Sequence, residues 1–301
     1  MSNVVIIPRT VEDIRIGSVF NNLFLVFEAT DAVEEDEVIW DFSSSSYFHP
    51  FFICPLAIFR SNYQKIIRCI NIPSTVSGYF DFIYFDRLLK IDQFTDYESK
   101  LNPYLSKTYI PICELKLRGL DTDKLQSFIQ RIIEKQCHAD RRIVNPLSYM
   151  LGELVDNVVT HSKKDFGYIF SQVVQGERCI DICIADNGIT VFGSFMRAKK
   201  YLEEIKNDEA VALQLAAEGR STKNLPDAEN RGYGISTSKK ILVDGLGGAF
   251  FMLSGYAFHR HDKNGSSFVN LPENIFWDGT IVLIRIPIDV PEGFNIIKYV
   301  E

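Results

Sequence analysis

Residues 179–190 read CIDICIADNGIT. Cys179 to Ala185 is almost wholly apolar, rich in isoleucine, and closes on Asp186-Asn187-Gly188-Ile189-Thr190. Such a run, ended by turn residues, predicts a buried strand. Cys179 and Cys183 flank Asp181 at even spacing, which puts them on one strand face and points to core packing rather than a metal site. A carboxylate at the end of a buried strand, with glycine close behind, is placed to receive a hydrogen-bond donor inside a cleft. Asn-Gly is also a common turn pair, so the stretch alone reads equally as a strand-ending turn.

Upstream, residues 147–162 read LSYMLGELVDNVVTHS. At about 100° per residue, Glu153, Asn157 and His161 fall in one stripe, four residues apart. Leu147, Leu151, Leu154 and Val158 fall on an adjacent arc. The helix can bury that arc and show a polar line to a cleft, or the line is a solvated face. Downstream, Asn230-Arg231-Gly232-Tyr233-Gly234-Ile235-Ser236 opens a helix. Two glycines ahead of a helix N-terminus let backbone N–H groups approach an anion, and the helix dipole favours it. A flexible loop that happens to meet a helix has the same composition. Further on, Gly279-Thr280 heads a strand through Ile281 to Pro287, and the Thr280 hydroxyl is suited to a water or a base.

Taken together and in this order, the four stretches resemble the GHKL ATPase superfamily, that of gyrase, histidine kinases and anti-sigma kinases. ELVDN at 153–157 is similar to its N box, DNGIT at 186–190 to its adenine-binding box, RGYGIS at 231–236 to its second glycine box, and GT at 279–280 to its last strand motif. The resemblance covers about Tyr109 to Pro287. It implies an α/β sandwich of two layers (the Bergerat ATP-binding fold) that takes ATP and Mg2+. It further implies that Asn157 binds Mg2+ and that Glu153 orients or deprotonates the attacking water or hydroxyl. Asp186 would hold the adenine amino group, with Gly188 leaving room for the ring and Thr280 supporting the contact. Gly232 and Gly234 would cradle phosphates under a lid at Gly219–Arg231, from which Lys223 or Arg231 touches the γ-phosphate. The sequence departs from the family at Thr190, which replaces a glycine. It departs again at Thr160, where many sensor kinases have lysine. His161 looks more like the anti-sigma-kinase pattern.

The 301 residues suit two domains. Hydrophobic residues at 46% and 23 phenylalanines predict a well-filled core. A net charge of -7 argues against phosphate neutralisation, hence against a nucleic-acid partner. Short basic pairs such as Arg141-Arg142 and Lys199-Lys200 read as solvated spots. The six cysteines form no CxxC pair. No basic-then-apolar leader and no long apolar run appears, so the reading is a cytoplasmic protein off the membrane.

The N-terminal segment has its own rhythm. Val38–Phe42 predicts a strand, Ser43–Ser46 a turn, Phe48–Phe59 an apolar helix, and Ile66–Ile72 a strand ended by Pro73. Ser74 is placed to cap a helix reaching Leu89. This order resembles the STAS (anti-sigma-antagonist) fold, with His49-Pro50-Phe51 where phosphorylatable antagonists carry serine. The expected division is a STAS-like domain over 1–100, a polar linker from Asp92 to Lys107, and an ATP-binding domain over 105–301. A helix is expected from Asn145-Pro146, and a polar helical stretch from Phe195 to Glu218.

The functional expectation is an Mg-ATP-binding regulatory ATPase or switch acting on a protein partner. The alternatives are an anti-sigma-type Ser/Thr kinase and a binding-only pseudoenzyme. A histidine kinase fits less well, because His138 is the only upstream histidine near a helix and sits in no helical hairpin. A gyrase-like clamp lacks a following transducer domain. A homodimer stays open.

Overall fold

The computed structural model describes residues 3–9, 16–44, 47–93, 96–116, 122–137, 141–161, 166–220, 222 and 233–299. The chain is α/β and divides into two compact units. One comprises Met1–Lys90 with Pro111–Cys113 and Pro272–Ile275, the other Ile91–Ile110, Glu114–Leu271 and Phe276–Glu301.

The first unit begins with β1 (Val4–Ile6), α1 (Ile16–Asp31), β2 (Glu37–Asp41), α2 (Pro50–Asn62), β3 (Ile66–Ile70) and α3 (Ser74–Ile83). The strands form a parallel sheet in the order β1-β2-β3, with Val5 opposite Trp40 and Trp40 opposite Cys69. Alternation along the strands buries Val5, Val38, Trp40 and Ile67 on one face and leaves Val4, Ile6 and Ile66 exposed on the other. The core is aromatic: Phe27 stacks on Phe59 at 4.3 Å, and Phe42 meets Phe80 edge-on at 5.3 Å. Pro50 opens α2 at a position that needs no N–H. The buried His49 caps the helix, its Nδ1 accepting the Phe51 N–H at 3.0 Å.

The chain continues through β4 (Leu89–Ile91), α4 (Asp96–Leu101), β5 (Tyr109–Lys116), α5 (Thr122–Cys137), α6 (Arg141–His161), β6 (Phe166–Val174) and β7 (Cys179–Asp186). Then come α7 (Val191–Ala198), α8 (Leu202–Ile205), α9 (Glu209–Ala217), α10 (Tyr233–Lys239), β8 (Ala249–Gly255), β9 (Ala257–Asp262), β10 (Gly265–Asn270) and β11 (Trp277–Pro287). Eight strands form one sheet in the order β10-β9-β8-β11-β7-β6-β5-β4. β6, β7, β11, β8, β9 and β10 are each antiparallel to their neighbours in this series. β7 is central, and all its residues are buried. α6 packs on β7, and both α5 and α10 pack on α6. α10 runs straight into a π-helical turn over Lys240–Gly245. On β7, Asp181 is fully buried and Arg285 of β11 grips it bidentately, at 2.7 Å to each oxygen. Burial works against both charges: at Asp181 it outweighs the pairing and holds the carboxyl above its usual range, whereas at Arg285 the bidentate pairing outweighs it and drives the guanidinium up. Glu177 also pairs with Arg285.

Several elements differ from their sequence expectation. α6 starts at Arg141, ahead of Asn145-Pro146. The helix expected to reach Leu89 stops at Ile83, because Tyr84 turns left-handed at φ 60 and Leu89–Ile91 becomes a strand. Its N-cap position is held by Pro73, and Ser74 is already helical. The expected linker holds α4 and a 3-10 turn over Asn102–Ser106, since Tyr97 and Leu101 are buried. The stretch Phe195 to Glu218 splits into three helices, with left-handed residues at Lys199, Tyr201, Lys206 and Asn207 between them.

Candidate functional site

β7 delivers Asp186 at its last position, and the residue is 3% exposed. One carboxylate oxygen, Oδ1, accepts the Gly188 backbone N–H at 2.8 Å, so the side chain closes the turn that follows the strand. Burial pushes the carboxyl up to about 7, against the opposing pull of the Gly188 and Thr280 backbone N–H groups. An ionised carboxylate offers about four acceptor positions. Two protein donors leave capacity for another, in a place where an unmet acceptor is costly.

β11 comes alongside through a bulge between Trp277 and Thr280. Gly279 occupies it at φ +76, where a Cβ would lie 2.5 Å from Asp186 O and from Gly188 N. Only glycine lets the two segments approach this closely. Trp277 Nε1 donates to Asp186 O at 3.4 Å from the same bulge. Thr280 faces Ser254 of β8, and Ile281 faces Ala185. The register therefore sets Asp186, Thr280 and Ser254 in one row across three strands, on one face of the sheet.

Ser254 is 2% exposed and sits at the centre of a small network. Its Oγ accepts the Val191 N–H at 2.9 Å, donates to Gly279 O at 2.6 Å and lies 3.2 Å from Thr280 Oγ1. One hydroxyl thus ties the turn after β7 to the bulge of β11. Thr190 serves α7, its Oγ1 accepting the Gly193 N–H at 3.0 Å as the N-cap.

Glu153 and Asn157 lie one turn apart on α6, both half-buried, while Asp156 is exposed. Leu151, Leu154, Val155 and Val158 are buried, so the apolar arc faces inward and the Glu153–Asn157 stripe lies along its margin. Gly234 is the second residue of α10. The far end of α10 is anchored by Lys239, 8% exposed, with Nζ 3.4 Å from His259 Nε2. His259 Nδ1 lies 3.0 Å from Ser267 O. Nδ1–H therefore donates there and Nε2 faces the ammonium as acceptor. Burial pulls Lys239 down to about 8 and His259 down to about 4.

The structure thus brings Asp186, Gly188 and Thr280 into direct contact, with Thr190 at the end of the same turn. Glu153 and Asn157 ride on the helix that packs against the Asp186 strand. Lys223, Arg231 and Gly232 lie outside the described residues, as do His138 and most of the Gly219–Arg231 loop. Within that loop, Thr222 Oγ1 lies 3.2 Å from Ser194 Oγ of α7. Sequence reasoning missed Ser254 and Trp277. The one signal for Ser254 is its place as the lone hydroxyl closing the apolar run Phe250–Leu253. No helix among the described residues is long and apolar enough to cross a membrane. No protein family, curated protein or solved structure was found to match the chain.

Proposed function

We propose that the second unit binds Mg-ATP in the manner of the GHKL superfamily, and that the protein is a regulatory ATPase or nucleotide-dependent switch acting on a protein partner. The observation that carries this reading is the buried Asp186 carboxylate with unspent acceptor capacity, held by the Gly188 and Thr280 backbone N–H groups where Gly279 lets β11 come close. Such a group suits an exocyclic amino donor of a base. Asn157, a neutral oxygen ligand of the kind Mg2+ accepts beside phosphates, stands on the helix against that strand. Glu153, one turn earlier, is the base candidate, and the N-terminus of α10, with Gly234, suits an anion. Bound ATP would supply the phosphoryl group, and the chain's residues would position it and take up a proton. The first unit, with its resemblance to STAS domains, is the proposed docking module for the partner.

The test is calorimetric titration with Mg-ATP, comparing the parent with Asn157→Ala. Saturable binding that the substitution strips of its Mg2+ dependence supports the reading. A parent that binds no ATP, or a variant that binds Mg-ATP as the parent does, overturns the N-box assignment. Labelled ATP then separates the outcomes: free phosphate marks hydrolysis, and label on a partner's serine or threonine marks a kinase.

A further inference from the structure

The Ser254 network fixes where one proton lies. A hydroxyl has one proton and two lone pairs. Ser254 gives its proton to Gly279 O at 2.6 Å and receives the Val191 N–H at 2.9 Å. Its remaining close neighbour is Thr280 Oγ1 at 3.2 Å. With the Ser254 proton already spent, that contact is satisfied only if Thr280 donates. Thr280 then has lone pairs left and no proton to offer. Asp186, next in the row, is an acceptor when ionised, and its Oδ1 already takes the Gly188 N–H. Ser254, Gly279 and Asp186 are buried and Thr280 is half-buried, so the Ser254 end of the set is shielded from water.

We propose that Ser254 is a specificity-determining residue of the nucleotide site: by holding the Thr280 proton it makes the Asp186–Thr280 edge acceptor-only. Such an edge selects a 6-amino purine and rejects a 6-oxo purine. The inference rests on the nucleotide-binding reading above and adds the residue that sets its base preference. An amino group offers the two hydrogens that an acceptor-only edge needs. A carbonyl oxygen in the same place brings no hydrogen to that edge, and the neighbouring ring N1–H of a 6-oxo purine makes good at most one of the two contacts, so the discrimination is about one hydrogen bond. Ser254 acts through Thr280 and needs no contact with the base.

The experiment measures equilibrium affinity for ATP and inosine triphosphate, with Mg2+, at pH 8 so that Asp186 is ionised. The chains are the parent, Ser254→Ala, Thr280→Val and the double variant. The parent is expected to prefer ATP. Ser254→Ala frees the Thr280 proton to turn toward a carbonyl, so the ATP-to-inosine-triphosphate ratio should fall by about tenfold, one hydrogen bond's worth. Thr280→Val should weaken ATP without weakening inosine triphosphate, because it removes an acceptor that the amino group uses and the carbonyl is repelled by, and it should abolish the effect of Ser254→Ala when the two are combined. A Ser254→Ala chain that loses affinity for both nucleotides in equal measure overturns the proposal, since Ser254 is then only a brace. Equal loss of both in Thr280→Val overturns it as well, and keeps the test alive if Ser254→Ala does not fold. A parent that binds ATP without preferring it refutes the selectivity and spares the nucleotide site. A parent that binds neither nucleotide refutes the site itself.

Discussion

Replacing Asp186 by Asn should change how stability depends on pH, in a direction that burial dictates. The carboxyl is pushed up to about 7 by burial, with the backbone N–H groups of Gly188 and Thr280 pulling against it. An unfolded chain carries an aspartate near ~3.9. Between those values the folded state holds a proton that the unfolded state has released. The stabilising contribution is therefore complete below ~4 and is lost as pH rises through 7. Three units at 1.36 kcal/mol each make about 4 kcal/mol over the whole window, with about 2–3 kcal/mol falling between pH 5 and 8. The amide that replaces the carboxyl never ionises, so the variant should gain on the parent by that amount between pH 5 and 8. Urea unfolding of both chains at the two pH values measures it, and the parent-minus-variant difference cancels every other titrating group. A difference that stays flat across the range would show that Asp186 is solvated and would remove the basis of the site. Nucleotide binding should run the opposite way. If the amino group needs the ionised carboxylate, affinity for ATP should rise with pH through about 7, and the Asp186→Asn chain should bind weakly throughout.

Other substitutions probe the supports. Gly279→Ala should cost about 2–4 kcal/mol of stability, combining left-handed strain with overpacking against Asp186 and Gly188 backbone, and urea midpoints should show it. Asp181→Ala should cost about 3–5 kcal/mol by leaving Arg285 without its bidentate partner, whereas replacing both residues with apolar ones of similar volume should recover most of the loss. Glu153→Ala should keep Mg-ATP affinity by calorimetry while phosphate release falls by ~10²–10⁴-fold. A parent and variant that turn ATP over equally fast would remove Glu153 as the base.

Legibility in the sequence followed how local each determinant was. β7 and its terminal aspartate were readable because an apolar run stops at a charged residue and a turn pair follows. The α6 stripe was readable because Glu153 and Asn157 repeat at helical spacing. The start of α6 was not, since Asn-Pro imitates a cap inside an element that begins at Arg141. The end of α3 was hidden because Tyr84 adopts a left-handed cap that sequences usually mark with glycine or asparagine. The β9–β10 hairpin was missed because its outer strand is mostly exposed and carries no clean alternation. Ser254 was invisible for a different reason. Its partners lie 63, 25 and 26 residues away along the chain, so only the folded register reveals what it holds.

The π-helical turn after α10 sets a rotational phase. A π turn closes on the fifth residue instead of the fourth, so it stores one residue more than an α-helix would use. In an α-helix that residue corresponds to about 100° of rotation. The downstream side of the turn is held at Gly248, whose N–H donates to Leu242 O at 2.8 Å and where a Cβ would run into the Arg285 backbone oxygen of β11. Any change in residue number within Lys240–Gly245 must therefore be absorbed upstream, by α10 itself. Shortening the turn by one residue would spin α10 about its own axis. That would withdraw Lys239 from His259 and Phe268. The spare residue works as an index pin, and the aim of α10 depends on a count kept at its opposite end.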